Sequence, residues 1–141
     1  MTPLEALQAA LAGEHAALYV YGVLGGRISV SEAPTTAAAV RSAYDVHRAR
    51  RDQLHTMVRE LDAEPVAPAV AYDLSGPATT TAEIVVEARG IEERAAAVYA
   101  QAVGSTEGAQ RRWAIDALTD AAVRTLGFGG VPEAFPGLPE L

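Results

Sequence analysis

Cysteine is absent from this chain of 141 residues, which excludes disulfides and thiolate metal sites. Lysine is absent as well, all 11 basic residues being Arg. Because Arg and Lys are not interchangeable in their chemistry, so complete a bias is read mainly as genome composition. Aromatic residues are scarce at 6% while alanine is frequent, a balance that favours helices packed closely on small side chains. Positive charge is in the minority. A net charge of −7 argues against a dedicated nucleic-acid or anionic-membrane binder, because phosphate contacts need a positive surface. No apolar run approaches the roughly 20 residues that cross a bilayer; Leu18–Leu24 is far too short. Met1-Thr2-Pro3-Leu4-Glu5 also lacks the basic start and apolar run of a signal peptide. The expectation is a soluble cytoplasmic protein.

What is present is helix. Half of the residues are hydrophobic, enough for the core of one ordinary domain over residues 1–141. Thr2-Pro3-Leu4-Glu5 combines an N-cap Thr, Pro at the first helical position and Glu three residues after the cap. Leu4, Leu7, Leu11, Leu18 and Tyr21 follow at helical spacing with Glu14 in the same row, and Gly25-Gly26 is the expected end. A second helix is expected from Pro34–Thr36 to about Leu61, on the row Val40, Tyr44, His47, Arg51, Leu54, Val58 and Leu61. Pro65, Pro68, Gly76 and Pro77 forbid continuous helix between Asp62 and Thr79. The third helix opens on the capping box Thr80-Thr81-Ala82-Glu83 and runs to Gly104-Ser105, with Ile84, Ala88, Ile91, Ala95, Val98 and Ala102 in one row and Glu92 and Tyr99 beside it. The fourth is expected over about Thr106–Leu126, with Trp113, Ala117, Asp120 and Arg124 in one row, before an irregular Gly/Pro-punctuated tail over 128–141.

Links between helices one and two and between three and four are short, whereas the middle link is long. Short links make antiparallel neighbours, and a long one can run the length of a bundle. The expected fold is an all-α, ferritin-like four-helix bundle with one long crossover between helices two and three. A plain up-down-up-down bundle would require the Pro-rich segment merely to bulge.

Each helix also carries polar side chains where its core stripe should lie: Glu14, then Tyr44, His47 and Arg51, then Glu92, then Asp116 or Asp120. Buried charge is costly unless paired or bound to metal, so these residues are expected to share one buried layer. Di-metal carboxylate bundles build such a layer from a Glu on two helices and Glu-x-x-His on the other two. Here Tyr44-Asp45-Val46-His47 stands in one Glu-x-x-His position, and a phenol titrating near 10 is a poor ligand. The other position reads Asp116-Ala117-Leu118-Thr119-Asp120, without His. Arg51 could replace the metal charge by bidentate pairing with Glu14 or Glu92, and Arg48 is a further partner for Glu14. The expected layer is therefore a metal-free ion-pair core with no cofactor. The alternative is a degenerate iron or manganese site of Glu14, His47, Glu92 and Asp116 or Asp120.

Other chemistry finds little support. His47-Arg48-Ala49-Arg50-Arg51-Asp52 distributes its charges around a helix. Gly25-Gly26 and Gly129-Gly130 lack the strand-to-helix context of a phosphate loop, and no Ser/His/acid set has an elbow motif.

Glu14-His15, the run Ala43–Asp52, Glu92-Glu93-Arg94 with Ala97-Val98-Tyr99, and Ala117–Arg124, closed by Ala134-Phe135-Pro136-Gly137-Leu138, together resemble a ferritin-like domain family of unknown function that is typical of actinobacteria. The resemblance spans nearly the whole chain. It implies the fold and the lineage but no reaction; relatives with intact Glu-x-x-His pairs oxidise or store iron, and this chain departs from them at Tyr44 and throughout helix four. The functions that remain are a non-enzymatic structural or interaction module, a degenerate metal binder, and a small-ligand protein using a pocket beside the layer. Leu18–Leu24 is apolar on all sides of its helix. A homodimer through helix one is expected to cover it, with the tail capping one bundle end.

Overall fold

The computed structural model describes residues 1–138 and contains four helices: α1 (Pro3–Arg27), α2 (Pro34–Glu60), α3 (Thr81–Ser105) and α4 (Gly108–Gly127). The two capping boxes do as their sequences require. Thr2 accepts from the Glu5 amide and Thr80 from the Glu83 amide, each Glu returning to its cap backbone. This contact holds both carboxyls below the usual range through their bonds to Thr2 and to Thr79 and Thr80. Pro34 opens α2 without a side-chain cap.

Two boundaries differ from expectation. Gly25-Gly26 lies inside α1, which ends where the Ile28 amide closes on the Leu24 carbonyl. Gly22 and Gly25 face Tyr44 and Val40 of α2, and an added β-carbon at either would meet its neighbour at 3.9 Å, an ordinary contact. Thr106 belongs to the end of α3, with its hydroxyl donating to Ala102 O at 2.6 Å, and α4 starts two residues later.

Helix directions follow from the pairs that meet. Glu14 and Gly22 of α1 face His47 and Tyr44 of α2, so these helices are antiparallel. Tyr21 and Glu14 face Glu92 and Tyr99, so α1 and α3 are antiparallel too. Arg89 of α3 reaches Gly129 just after α4 while Tyr99 meets Trp113, so α3 and α4 are antiparallel, and α2 and α3, each antiparallel to α1, are parallel to one another. Parallel α2 and α3 require the intervening segment to travel the whole bundle. It does so along α1. Gln8 holds Glu64 O and Val66 N, His15 meets Val66 O, Tyr19 packs on Tyr72, and Arg27 donates to Pro77 O. Glu87 of α3 then accepts from the amides of Ser75 and Gly76 and fixes the far end. The chain is the ferritin-like four-helix bundle with a long crossover.

Two apolar clusters sit at opposite ends of the core. Leu7, Leu11, Leu54 and Val58 form one; Tyr21, Leu24, Val40, Ile84, Ile91 and Phe128 are central to the other. The α3–α4 interface is largely alanine (Ala96, Ala117 and Ala121), which brings those backbones close. By contrast α2 and α4 meet through long side chains, Arg50 to Asp120 and Trp113 to Gln53, both at 2.7 Å. The tail lies on α3 and α4: Gly137, at a φ of 78°, packs on the Ala96 carbonyl, where a β-carbon would clash. Within the tail segment, residues 139–141 lie outside the described residues.

Candidate functional site: a buried imidazole between two carboxylates

Glu14, His47 and Glu92 meet between the two apolar clusters and are at most 2% exposed. His47 Nδ1 lies 2.6 Å from Glu14 Oε2, and Nε2 lies 3.1 Å from Glu92 Oε1. Ionised carboxylates only accept, so an imidazole bonded to one through each nitrogen must donate from both and is an imidazolium. Burial by itself lowers the His47 pKa; the hydrogen bonds to Glu14 and Glu92, and their charges, outweigh it and raise it to about 9.

Two tyrosines complete the layer. Tyr21 donates to Glu92 Oε1 at 2.5 Å, and Tyr99 donates to Glu14 Oε1. Burial, then the charge and hydrogen bond of Glu92, push the Tyr21 phenol far above its ordinary range, so it is a fixed donor. Its ring also stacks on His47 at 5.4 Å between centroids. On the α4 side, Arg50 lies 5.3 Å above the Tyr99 ring and pairs with Asp120 at 2.7 Å. Arg124 shares Asp120 at 2.8 Å. Burial raises the Asp120 pKa, but the bond to Arg124 and the charges of both guanidinium groups leave its carboxyl below the usual range.

Five residues expected in the layer or paired with it stand elsewhere. Arg51 points outward and pairs with its neighbour Asp52 at 2.8 Å. Arg48 pairs with Asp45 on the exposed face. Tyr44 packs, half-buried, toward Gly22. Asp116 is exposed, and Asp120 sits beside the layer rather than in it. The reason is helical phase. Val40, His47, Leu54 and Val58 are buried as expected, but between them α2 buries Ala43 and Arg50 in place of Tyr44 and Arg51. Spacings of three and four residues are both compatible with one helical stripe. In α4 the buried row is Ala114, Ala117 and Ala121, which leaves Asp120 at its edge and Asp116 turned away.

Tyr21 and Tyr99 were not among the expected members, although a signal exists: both helices carry Glu followed seven residues later by Tyr, Glu14 with Tyr21 and Glu92 with Tyr99. Because α1 and α3 are antiparallel, each Tyr reaches the Glu of the other helix. Glu87 was also unforeseen; its carboxylate sits 4% exposed under the crossover.

The ferritin-like fold raises the question of a metal centre, and these residues do not fit one. A metal-bound imidazole ligates through one nitrogen. Here the carboxylates sit on opposite nitrogens of His47 and share no common centre with it. Helix α4 turns alanine toward the layer, and among the described residues no group of three or more His, Asp and Glu is disposed to hold a metal ion.

Fold and site thus define a ferritin-like bundle whose centre is an imidazolium–dicarboxylate layer. The chain belongs to the family described as Domain of unknown function (DUF4439), which matches residues 6–140. It is similar to a conserved hypothetical protein, rv2844, from Mycobacterium tuberculosis, with 29% identity and a TM-score of 0.83 over 90% of this chain and 94% of that one. It shares its fold with a ferritin-like, diiron-carboxylate protein from Bacillus anthracis str. Ames, at 16% identity and a TM-score of 0.77 over 90% and 92% of the two chains. No curated protein matches the chain.

Proposed function

We propose that this protein is a non-enzymatic structural or interaction module, a ferritin-like bundle whose metal centre has been replaced by the ion-paired layer. The observation that carries this reading is the placement of Glu14 and Glu92 on opposite nitrogens of His47. The imidazolium supplies positive charge where a di-metal bundle places its ions, and the tyrosines take the lone pairs that metals would otherwise take. Within this proposal the protein is cytoplasmic, of actinobacterial lineage, homodimeric, and without nucleic-acid or membrane partners. Among the described residues, no helix is long and apolar enough to cross a membrane.

Elemental analysis of protein purified without chelator, followed by ferrous-iron oxidation assays, tests it. The expected result is less than about 0.1 equivalent of iron, manganese or zinc and no oxidation above the buffer rate. About one equivalent surviving dialysis would overturn it.

One observation favours the second reading, a degenerate iron or manganese site using Glu14, His47, Glu92 and Asp120. Glu92 Oε2 is buried without a hydrogen-bond partner, and such an oxygen is a ready ligand. Rotation of His47 off one carboxylate would be needed first, and Asp120 would have to leave Arg50 and Arg124.

A further inference from the structure

Between α1 and α3, beneath the crossover, lies a cavity of about 470 Å³, within the roughly 300–1,000 Å³ typical of small-molecule sites. Its walls are small and apolar residues of the two helices, with Tyr72, Asp73 and Ser75 of the crossover at its mouth. Its floor is different, being formed by Glu14, His47 and Tyr99 of the polar layer.

Hydrogen-bond accounting on that floor selects the ligand. The Tyr99 hydroxyl proton goes to Glu14 Oε1, and the two N–H groups of His47 go to Glu14 and Glu92. No donor is left. An ionised carboxylate offers about four acceptor sites, and each Glu14 oxygen has one of these bonds. The floor therefore accepts and cannot donate, so a ligand whose inner end is an acceptor would set lone pairs against lone pairs. Arg50 does not line this cavity; it is engaged by Asp120 on the other side of Tyr99. Arg94 is the cation at the mouth, 58% exposed and resting on Ser75 Oγ at 3.3 Å. Glu87 lies 3.9 Å from it and Asp73 also lines the cavity, so the mouth sets no demand for an anionic outer end.

We propose that this cavity binds a small primary ammonium ion with an apolar chain, the ammonium on Glu14 and the chain along the α1–α3 walls. The proposal rests on the metal-free layer proposed above, so the titration is made on full-length protein whose metal content has been measured. The probe is hexylammonium chloride, compared with sodium hexanoate at equal ionic strength by amide and side-chain NMR. Hexylammonium is expected to give saturable shifts around Gly13, Ala95 and Tyr99, and hexanoate none. Gly13→Leu adds bulk at a residue that lines the cavity, where an added β-carbon has open space around it. It should weaken hexylammonium binding about tenfold or more while preserving the melting transition. If that variant fails to fold, Ala95→Leu fills the opposite wall and is read in the same way. Metal-free protein showing no saturable shift, hexanoate binding as well as hexylammonium, or undiminished binding by a folded filled variant would each overturn the proposal. Metal in the layer together with failed binding would instead locate the failure in the metal-free reading.

Discussion

Tyr21 of α1 donates its phenolic proton to Glu92 of α3 at 2.5 Å, and Tyr99 of α3 returns the same bond to Glu14 of α1. The two antiparallel helices therefore exchange one Tyr–Glu bond in each direction, and His47 of α2 closes the gap between the carboxylates. Glu14 and Glu92 are held from three helices, so neither can move without breaking a bond from another element. This reciprocity makes the layer rigid in the absence of any ion.

Removing a single hydroxyl tests that exchange. Hydrogen bonds to a charged group contribute about 1.5–3 kcal/mol, so Tyr21→Phe and Tyr99→Phe should each destabilise by that amount. Because both bonds serve one layer, the double variant is expected to depart from the sum by more than about 0.5 kcal/mol in a double-mutant cycle. Additive values in urea unfolding would show two independent bonds.

The charge on His47 sets a pH dependence. Its folded-state pKa of about 9 stands above the ordinary 6.5, so its contribution is fully present below 6.5 and lost as pH rises through 9. The amount is on the order of 3 kcal/mol. Unfolding measured from pH 6 to 10 should show stability declining across that window in the wild type, with the decline absent in His47→Gln. A wild-type curve that stays level up to pH 10 would contradict the imidazolium.

The architecture was legible because its determinants are local. Caps at Thr2 and Thr80, Pro34, and the Pro-rich break between Asp62 and Thr79 fixed the number of helices and the unequal links, and those links imply a crossover. The layer was legible only halfway. Glu14, His47 and Glu92 interrupt apolar rows and must be compensated wherever the rows meet. Which neighbour compensates them depends on a rotation of about 100° per residue, and a row of small and polar residues does not resolve it. Arg50 and Arg51 differ by that one step. The tyrosines were overlooked for another reason: a ring in an apolar row looks like core, and only the partner helix shows what its hydroxyl is for.

That single step yields a direct comparison. Arg51→Ala should change stability by no more than about 0.5 kcal/mol, as expected of a surface pair. Arg50 is 7% exposed and neutralises Asp120 over the Tyr99 ring. Arg50→Ala should cost about 1–3 kcal/mol through packing lost over the Tyr99 ring, Asp120 keeping its bond to Arg124. Equal melting temperatures for the two variants would mean that α2 sits in the other phase.

Association depends on which apolar surface remains uncovered. The sequence pointed to α1, where Leu18–Leu24 is apolar all round. The crossover covers much of that face, with Tyr72 packed on Tyr19 and Val66 held by His15 and Gln8. One group of exposed apolar side chains lies instead on α4 and the tail: Val123, Leu126, Val131, Phe135 and Leu138. All of these but Phe135 line an open groove of about 670 Å³. A homodimer is therefore expected to form through α4 and the tail, the two-fold arrangement being the commonest closed solution. Sedimentation at micromolar concentration should give twice the 14.7 kDa of one chain, and Val123→Arg should reduce it to monomer by placing charge on that surface. A wild-type monomer would remove the dimer altogether. A dimer that tolerates Val123→Arg and loss of residues 131–141 would return the interface to the exposed remainder of α1 around Tyr19 and Gly22.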